Sequence, residues 1–293
     1  MKILHFSDPH FDLSLKSIPW KKWFGKRAVG ALNLLGGRGK RFDDAESKIE
    51  ALVEFKEQNG IDLVICTGDY TALGLEAEII NAAEIVAPLA TPEDKFITVP
   101  GNHDIYLYDS LHQESFNRHF GKFMRSDLPQ YRVDEFFPFV RLFDEVAVVG
   151  LNSAKPNPLP WRSTGYIPDK QLEAFSEILK DKRVKDKYIL VSTHYAPRDE
   201  NGLPDKKHHR LINAKEFLEC CKGIEKGAIL TGHIHKGFRV EIDGLKAPLF
   251  CAGSVTMDKR ESFWLFEITK DSFKVSKGVF ENGKYATISC KID

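Results

Sequence analysis

Acidic, amide and imidazole side chains recur in this sequence directly after short apolar segments. The set comprises Asp8, His10, Asp69, Asn102, His103, Asp104, His194, His233 and His235. Carboxylate oxygens, amide oxygens and imidazoles together suit divalent ions of intermediate hardness, such as Mn²⁺, Fe²⁺ or Zn²⁺. No cysteine belongs to the set, which argues against a structural zinc. The residue types therefore predict a metal site that performs chemistry.

The apolar segments predict β-strands that alternate with amphipathic helices. Strands are expected at 3–6, 62–66, 95–99, 146–151, 188–193 and 228–231, and helices at 44–60, 75–90 and 169–180. After Gly237 the pattern changes to strands joined by turns such as Asp243-Gly244 and Asn282-Gly283, which indicate hairpins that finish a second sheet. Because ligands bind beyond the carboxyl ends of parallel strands, the polar residues that follow these strands should converge. Gly68, Gly101 and Gly232 would permit the tight turns this requires.

Composition limits the classes of protein that the chain can represent. The 293 residues include 42 Lys and Arg against 42 Asp and Glu, so attraction to nucleic acid through overall charge is not expected. Five cysteines, none in a C-x-x-C pair, are interpreted as reduced thiols of a cytoplasmic protein. No segment has the apolar length of a signal peptide or a membrane span, so a soluble chain is expected.

Five segments, in order, resemble the motifs of the calcineurin-like metallophosphoesterase superfamily. They are Asp8-x-His10, Gly68-Asp69, Gly101-Asn102-His103-Asp104, Thr193-His194 and Gly232-His233-x-His235. Within the superfamily they most resemble the class III cyclic-nucleotide phosphodiesterases. The resemblance implies an α/β fold, a four-layer α/β/β/α sandwich of two mixed β-sheets flanked by helices. We expect residues 1–293 to form this as one domain.

The resemblance also implies a role for each residue. Asp8, His10, Asp69 and His235 would hold one divalent ion. Asp69, Asn102, His194 and His233 would hold a second, with Asp69 bridging the two. Mn²⁺ is the first expectation, with Fe or Zn as alternatives. Two such ions would lower the pKa of a shared water and so supply a hydroxide nucleophile near neutral pH. His103, oriented by Asp104, would steady or protonate the leaving oxygen.

Differences between the motifs of this sequence and those of related subfamilies reduce the number of candidate functions. Ser/Thr protein phosphatases differ at Phe11, at Tyr70-Thr71-Ala72 and at Asp104, so the sequence favours a phosphodiesterase of small phosphoesters. Tyr195 replaces a second histidine that cyclic-nucleotide enzymes often carry. The first alternative is a lipid-linked nucleotide-sugar pyrophosphohydrolase of the UDP-diacylglucosamine type. A nuclease or a non-catalytic scaffold ranks lower, and the oligomeric state is left open.

An insertion at about 13–42 carries an uncommon composition. It holds cations but no Asp or Glu: Lys16, Lys21, Lys22, Lys26, Arg27, Arg38, Lys40 and Arg41. Trp20, Trp23 and Phe24 are interleaved with aliphatic residues. One interpretation is a helical pair whose apolar face packs on the domain while its lysines stay solvated. The other is a cap or a peripheral contact with an anionic membrane or an acylated substrate. The basic run from Lys206 to Arg210 is interpreted as a solvated loop, with a phosphate contact as the alternative. Weaker candidates for the wall of the pocket are Tyr106, Asn152, Trp161 and Arg162.

Overall fold

Two six-stranded β-sheets form the centre of the computed structural model, which describes residues 1–11, 25–108 and 110–289. The strands are β1 (Lys2–Phe6), β2 (Leu63–Cys66), β3 (Phe96–Thr98), β4 (Phe139–Leu142), β5 (Val146–Gly150), β6 (Tyr188–Ser192), β7 (Gly227–Thr231), β8 (Gly237–Val240), β9 (Leu249–Ala252), β10 (Ser262–Thr269), β11 (Ser272–Glu281) and β12 (Lys284–Ser289). The first sheet has the order β12-β11-β10-β1-β2-β3, and the second has the order β4-β5-β6-β7-β9-β8.

Each sheet joins a parallel part to an antiparallel part. The pairs β1·β2 and β2·β3 are parallel, whereas β10 runs antiparallel to β1 with Leu4 opposite Leu265. In the second sheet β5, β6, β7 and β9 are parallel, and β4 and β8 are antiparallel edge strands. The carboxyl ends of β1, β2 and β3 therefore lie at one edge of the first sheet, and those of β5, β6 and β7 lie at one edge of the second.

Helices connect the strands. They are α1 (Lys26–Asn33), α2 (Ala45–Asn59), α3 (Glu76–Val86), α4 (Ser110–Phe120), α5 (Asp169–Ile178) and α6 (Ala214–Cys221). The helix predicted to end at Gly60 does so because Gly60 adopts the left-handed conformation (φ 60°, ψ 54°), and its amide is bonded to the carbonyls of Glu57 and Lys56. The helix predicted for 75–90 ends earlier, at Val86.

The second sheet alternates its side chains between two cores. Val146 and Val148 of β5 belong to the core shared with the first sheet, whereas Ala147 and Val149 belong to the core beneath α5 and α6. This period of two is what a strand buried on both faces requires. The prediction of an α/β sandwich with two mixed sheets and flanking helices is confirmed. The prediction of a single domain over 1–293 stays a prediction.

The tail after Gly237 forms hairpins, but it completes both sheets rather than the second alone. The Asn282-Gly283 turn joins β11 to β12 in the first sheet, while Asp243-Gly244 lies in the connection from β8 to β9 in the second. The sequence could not show which sheet each hairpin joins, because a hairpin pattern specifies only that two consecutive strands pair with each other.

The insertion at 13–42 lies partly outside the described residues, which resume at Gly25. In α1 the burial is the reverse of the expected packing. Lys26 and Arg27 are 8% and 6% exposed, whereas Leu32 is 65% exposed, and Leu35, in the helical segment that follows α1, is 66% exposed. The expectation of a solvated lysine is therefore wrong for Lys26, whereas the apolar side of α1 packs only in part, through Ala31 against Leu73 and Leu75. Within the described part of the chain, no helix combines the length and apolar character needed to cross a bilayer.

Replacing Leu190 by alanine should lower the free energy of unfolding by about 2–5 kcal/mol. Leu190 is fully buried on the face of β6 that packs between the sheets, and the truncation leaves a cavity there. The matched control is Ile80→Ala on α3, where the side chain is 40% exposed and the loss should be much smaller. Urea unfolding of both variants measures this, and equal losses would contradict the packing described.

Candidate metal centre

The polar residues predicted to converge do so at the carboxyl ends of the central strands. Asp8, Asp69 and His194 follow β1, β2 and β6, respectively, by two or three residues. Two groups have ligand atoms that all lie within 4.8 Å of one another. The first is Asp8, His10, Asp69 and His235, and the second is Asp69, His194 and His233. Asp69 belongs to both groups, as the sequence predicted for a bridging carboxylate.

The first group brings two imidazoles to two carboxylates. His235 Nε2 lies 3.1 Å from Asp8 Oδ1, and His10 Nε2 lies 3.8 Å from the same oxygen. His10 Nε2 is also 3.7 Å from Asp69 Oδ2 and 3.0 Å from His235 Nε2. His10 Nδ1 donates to the carbonyl of Thr71 at 2.9 Å, which fixes the ring and leaves Nε2 with a lone pair toward the group.

The second group is completed by the side-chain amide of Asn102. Asn102 Oδ1 lies 3.0 Å from His194 Nε2 and 2.8 Å from His233 Nδ1. His194 Nε2 is also 3.4 Å from Asp69 Oδ2. His194 Nδ1 donates to the carbonyl of Thr67, and His233 Nε2 donates to the carbonyl of His209. Each ring thus has one nitrogen committed to a backbone acceptor.

The donor set fits divalent metals because its lone pairs face one another. When His194 and His233 donate to carbonyls through one nitrogen, their other nitrogens direct lone pairs at the oxygen of Asn102. Asp8 Oδ1 is buried and accepts no hydrogen bond from the residues that the structure describes. Converging lone pairs of this kind repel unless a proton or a cation lies between them. Nitrogen and oxygen donors without thiolate match Mn²⁺, Fe²⁺ or Zn²⁺.

The buried carboxylates also need positive charge close to them. Burial alone would raise the pKa of Asp69, but the imidazoles of His194, His103 and His10 hold it well below its usual range. Burial opposes protonation of His194, yet the Asp69 carboxylate raises the pKa of His194 to about 9. In the metal-free protein, protonated imidazole is therefore the positive charge that balances the carboxylates.

The backbone at the ligands is held in the left-handed region. Asp8, His10, Asp69, His233 and His235 have φ between 44° and 72°, an uncommon conformation for residues with a Cβ. The flanking glycines were expected to provide these turns, and only Gly68 does so, with φ 89°. Gly101 and Gly232 permit close approach instead. A Cβ on Gly101 would collide with Asp69 Oδ1, and a Cβ on Gly232 would collide with Ser7 Oγ.

Asp104 does not orient His103, which corrects the role expected from the resemblance. Its Oδ2 accepts from the amides of Asp69 and Gly101 at 2.8 and 2.9 Å, and its Oδ1 accepts from the amides of Tyr70 and Thr71 at 2.9 and 3.2 Å. Burial and the nearby Asp69 raise the pKa of Asp104 to about 7, opposed by these amides. We assign the ionised form, because an ionised carboxylate offers acceptors alone to the four amides that donate to it. Asp104 thus holds the loop that carries Asp69.

His103 is oriented by other groups. Its Nδ1 donates to the carbonyl of Ala72 at 2.6 Å, and its amide donates to Asp69 Oδ1 at 2.7 Å. Its ring stacks on Tyr106 with centroids 5.3 Å apart and lies edge-on to His10 at 5.0 Å. The ring therefore borders the ligand groups, on the wall of the cleft that opens above them.

That cleft has a volume of about 790 Å³, and sequence reasoning missed part of its wall. Trp161 and Arg162 line it together with Tyr106, whereas Asn152, a weaker guess, does not. His209, expected in a solvated loop, stacks on His233 with ring centroids 3.9 Å apart, and Asp205 bonds its Nδ1. Asp205, His209 and His233 form a third group of converging ligand atoms. The only sequence signal for this wall was the basic run beside the last motif.

A sandwich of two mixed sheets with this ligand set defines a metallophosphoesterase. The family model for the calcineurin-like phosphoesterases matches residues 1–237, and the chain belongs to that family. The prediction made from the five motifs is therefore confirmed. The chain is a phosphoric ester hydrolase whose chemistry depends on a metal site.

The similarity to individual proteins is low. A probable cyclic nucleotide phosphodiesterase of Rhodopseudomonas palustris is 29% identical over 207 residues, covering 68% of this chain and 67% of the relative. The 3′,5′-cyclic adenosine monophosphate phosphodiesterase CpdA of Pseudomonas aeruginosa is 28% identical over 216 residues, covering 70% and 65%. Among solved structures, a dimetal phosphatase from Danio rerio superposes with a TM-score of 0.64 at 14% identity over 98% of both chains, which concerns the fold alone.

Metal binding at pH 7 should release protons, because a ligating imidazole must be neutral whereas metal-free His194 is held protonated by a pKa of about 9. The apparent metal affinity should accordingly rise with pH up to about 9. Titration calorimetry with Mn²⁺ in two buffers of different protonation enthalpy measures the released protons. Binding heats that do not depend on the buffer would contradict the assignment, and His194→Gln should release fewer protons than the wild type.

Replacing Asp104 by asparagine should lower the free energy of unfolding by about 1–3 kcal/mol, since an amide nitrogen would face backbone donors that now bond to a carboxylate. Metal affinity should fall with it, because the loop carries Asp69. The pH dependence of kcat separates the two roles. A profile of unchanged shape supports the loop anchor, and a shifted profile would restore the role of orienting His103.

Proposed function

We propose that this chain is a phosphodiesterase that works with two divalent ions and acts on small nucleotide esters. The observation that carries the proposal is the sharing of Asp69 between two ligand groups, each of which also contains two imidazoles. Asp8, His10 and His235 would hold one ion beside Asp69. Asn102, His194 and His233 would hold the other. Mn²⁺ is the metal that we propose first, with iron or zinc as alternatives.

Bound metals would supply Lewis acidity toward the phosphate and a water activated for attack near neutral pH. The protein's own residues supply the remainder. The fully buried Asp8 and the nearly buried Asp69 hold the ligand cluster rigidly. His103 stands at the edge of the cluster with Nδ1 committed to Ala72, so its Nε2 is the atom that would donate a proton to the leaving oxygen.

Two observations favour nucleotide diesters as substrates. The relatives from Rhodopseudomonas palustris and Pseudomonas aeruginosa are named as cyclic nucleotide phosphodiesterases. The cleft of about 790 Å³ is within the usual size range of small-molecule sites, and Trp161, 68% exposed on its wall, offers a face for a base. A cyclic 3′,5′-nucleotide is therefore the first substrate that we propose to test.

A second candidate is hydrolysis of a lipid-linked nucleotide-sugar pyrophosphate. The observation in its favour is the exposed apolar side of α1. Leu32 of α1 and Leu35 shortly after it lie outward, and Val29, 40% exposed, reaches the cleft. An acyl chain or a membrane surface would cover such residues. Binding of Leu32→Gln and the wild type to anionic vesicles separates the candidates, and equal weak binding removes the second one.

Replacing His103 by alanine should lower kcat for a cyclic nucleotide by ~10²–10⁴, because its alkoxide leaving group needs a proton. The loss for bis(p-nitrophenyl) phosphate should be smaller, since nitrophenolate leaves without protonation. The test compares both substrates with Mn²⁺ and with chelator. His119→Ala, a half-buried histidine of α4 away from the cleft, is the matched control. Equal losses on both substrates would argue against proton donation, and activity in chelator would contradict the metal requirement.

A further inference from the structure

The helix α1 buries a lysine at the cleft and leaves most of its hydrogen-bonding capacity unused. Lys26 is 8% exposed, and its Nζ has one hydrogen-bond acceptor among the described residues, the carbonyl of Arg162 at 3.3 Å. The same Nζ lies over the ring of Tyr106, 4.3 Å from its centroid. An ammonium group carries three donors, so two of them lack a protein partner in the part of the chain described. Burial lowers the pKa of Lys26 to about 8, opposed by the negative charge of Asp69.

The charges nearest to Lys26 are positive as well. Lys155 lowers the pKa of Lys26, and Arg162 in turn lowers the pKa of Lys155, each in addition to burial. None of these three cations makes an ion pair with a carboxylate of the described residues, and 13–42 contains no Asp or Glu. Like charges gathered in a partly desolvated place are unfavourable unless an anion joins them.

Apart from Asp69, the acidic residues that line the cleft come from the segment 199–205 and already have partners. Glu200 pairs with Lys236 at 2.5 Å, and Asp205 pairs with His209. Asp199 accepts from the amides of Asn201 and Leu203 in its own loop. These carboxylates are therefore already bonded within or beside their own segment, whereas the cations of what we call the basic wall, Lys26 and Arg162, have no carboxylate partner among the described residues.

The basic wall is adjacent to the reaction site. Lys26, Arg162 and Tyr106 line the same cleft as His103 and Asp69. The ring of Tyr106 contacts both Lys26 and His103, with 4.3 Å from its centroid to the ammonium and 5.3 Å between the two ring centroids. An anion held by Lys26 would thus be one aromatic ring away from the group that faces the leaving oxygen.

We propose that Lys26, with Lys155 and Arg162, forms a second phosphate subsite, so that the enzyme prefers phosphodiesters that carry another phosphate close to the one that is cleaved. Lysine serves as a point charge for phosphate, and the guanidinium of arginine can bind two phosphate oxygens together. Cyclic dinucleotides and nucleoside-diphosphate esters share this chemistry, whereas a cyclic mononucleotide would leave the subsite empty. The preference rests on the proposed phosphodiesterase function, but anion binding at the subsite does not.

Binding is tested first on metal-free, full-length protein, with inorganic pyrophosphate as the probe in titration calorimetry. Lys26→Gln should weaken binding about tenfold or more, because a partly desolvated ammonium contact is lost. Lys26→Arg should keep most of the affinity. The matched control is Lys215→Gln, which removes an exposed lysine from α6 away from the cleft and should bind as the wild type does. Equal affinity in Lys26→Gln and the wild type would overturn the subsite.

Arg162→Gln provides a second measurement if Lys26→Gln does not fold, since Arg162 is exposed and its removal disturbs no core. It too should weaken pyrophosphate binding, and an unchanged affinity in this variant would count against the subsite.

Kinetics with Mn²⁺ then separates the substrates and the two proposals. Cyclic AMP, cyclic di-AMP and a nucleoside-diphosphate sugar are compared by kcat/KM in the wild type and in Lys26→Gln. A preference for either two-phosphate substrate that falls about tenfold in the variant supports the subsite and identifies the source of the second phosphate. Turnover without such a preference overturns the subsite and leaves the phosphodiesterase standing. No turnover of any ester, with pyrophosphate binding intact, overturns the phosphodiesterase alone.

Discussion

Asp69 places a buried negative charge between two sets of imidazoles, and much of the surrounding structure serves to hold it there. A carboxylate that is 1% exposed requires nearby positive charge, and the neighbouring histidines provide it in the metal-free protein. The histidines that face it, including His10 and His194, are fixed through their other nitrogens by backbone carbonyls. Replacing those protons by metal ions uses the same geometry, which explains why a cluster this costly to bury forms at all.

The two sheets meet this requirement by contributing opposite sides of the cluster. The first sheet supplies the carboxylates through the loops after β1 and β2, and the second supplies His194 and His233 through the loops after β6 and β7. The core that packs between the sheets therefore sets the distance between the two halves. The left-handed backbone at the ligands turns each side chain inward, at a conformational cost that the rigid strand ends sustain.

The sequence predicted the ligand residues better than it predicted the residues that hold them in position. Strand ends such as Asp8 and His194 were identifiable because parallel strands bring their carboxyl ends to one edge. The role of Asp104 could not be identified from the sequence. The same Gly-Asn-His-Asp motif is compatible with an Asp that accepts hydrogen bonds from loop amides and with an Asp that orients the histidine. Burial of Lys26 beside exposed Leu32 also reverses what an amphipathic pattern predicts, since helix periodicity gives the faces of α1 but not what each face meets. The wall made by Asp205 and His209 depends on a long-range contact with His233 that no local pattern records.

The position of α1 beside the ligand cluster suggests how substrate specificity could depend on charge. The metal cluster and the basic wall lie in one cleft, so a substrate with separated negative charges would satisfy both. The apolar surface outside that wall, at Leu32 and Leu35, is the place where a larger substrate would extend. If the proposed subsite exists, chemistry depends on the strand ends, and selectivity depends on α1 together with Lys155 and Arg162.

The claim on which this account rests is that Asp69 is shared by two metal ions. Metal content per chain, measured by elemental analysis after loading with Mn²⁺ and desalting, tests it directly when the wild type, Asp69→Ala and Asp205→Ala are compared. The account predicts about two ions per chain in the wild type and in Asp205→Ala, and loss of both in Asp69→Ala, since each group depends on that carboxylate. Fewer than one ion in the wild type, or metal content that does not change when Asp69 is removed, would contradict it.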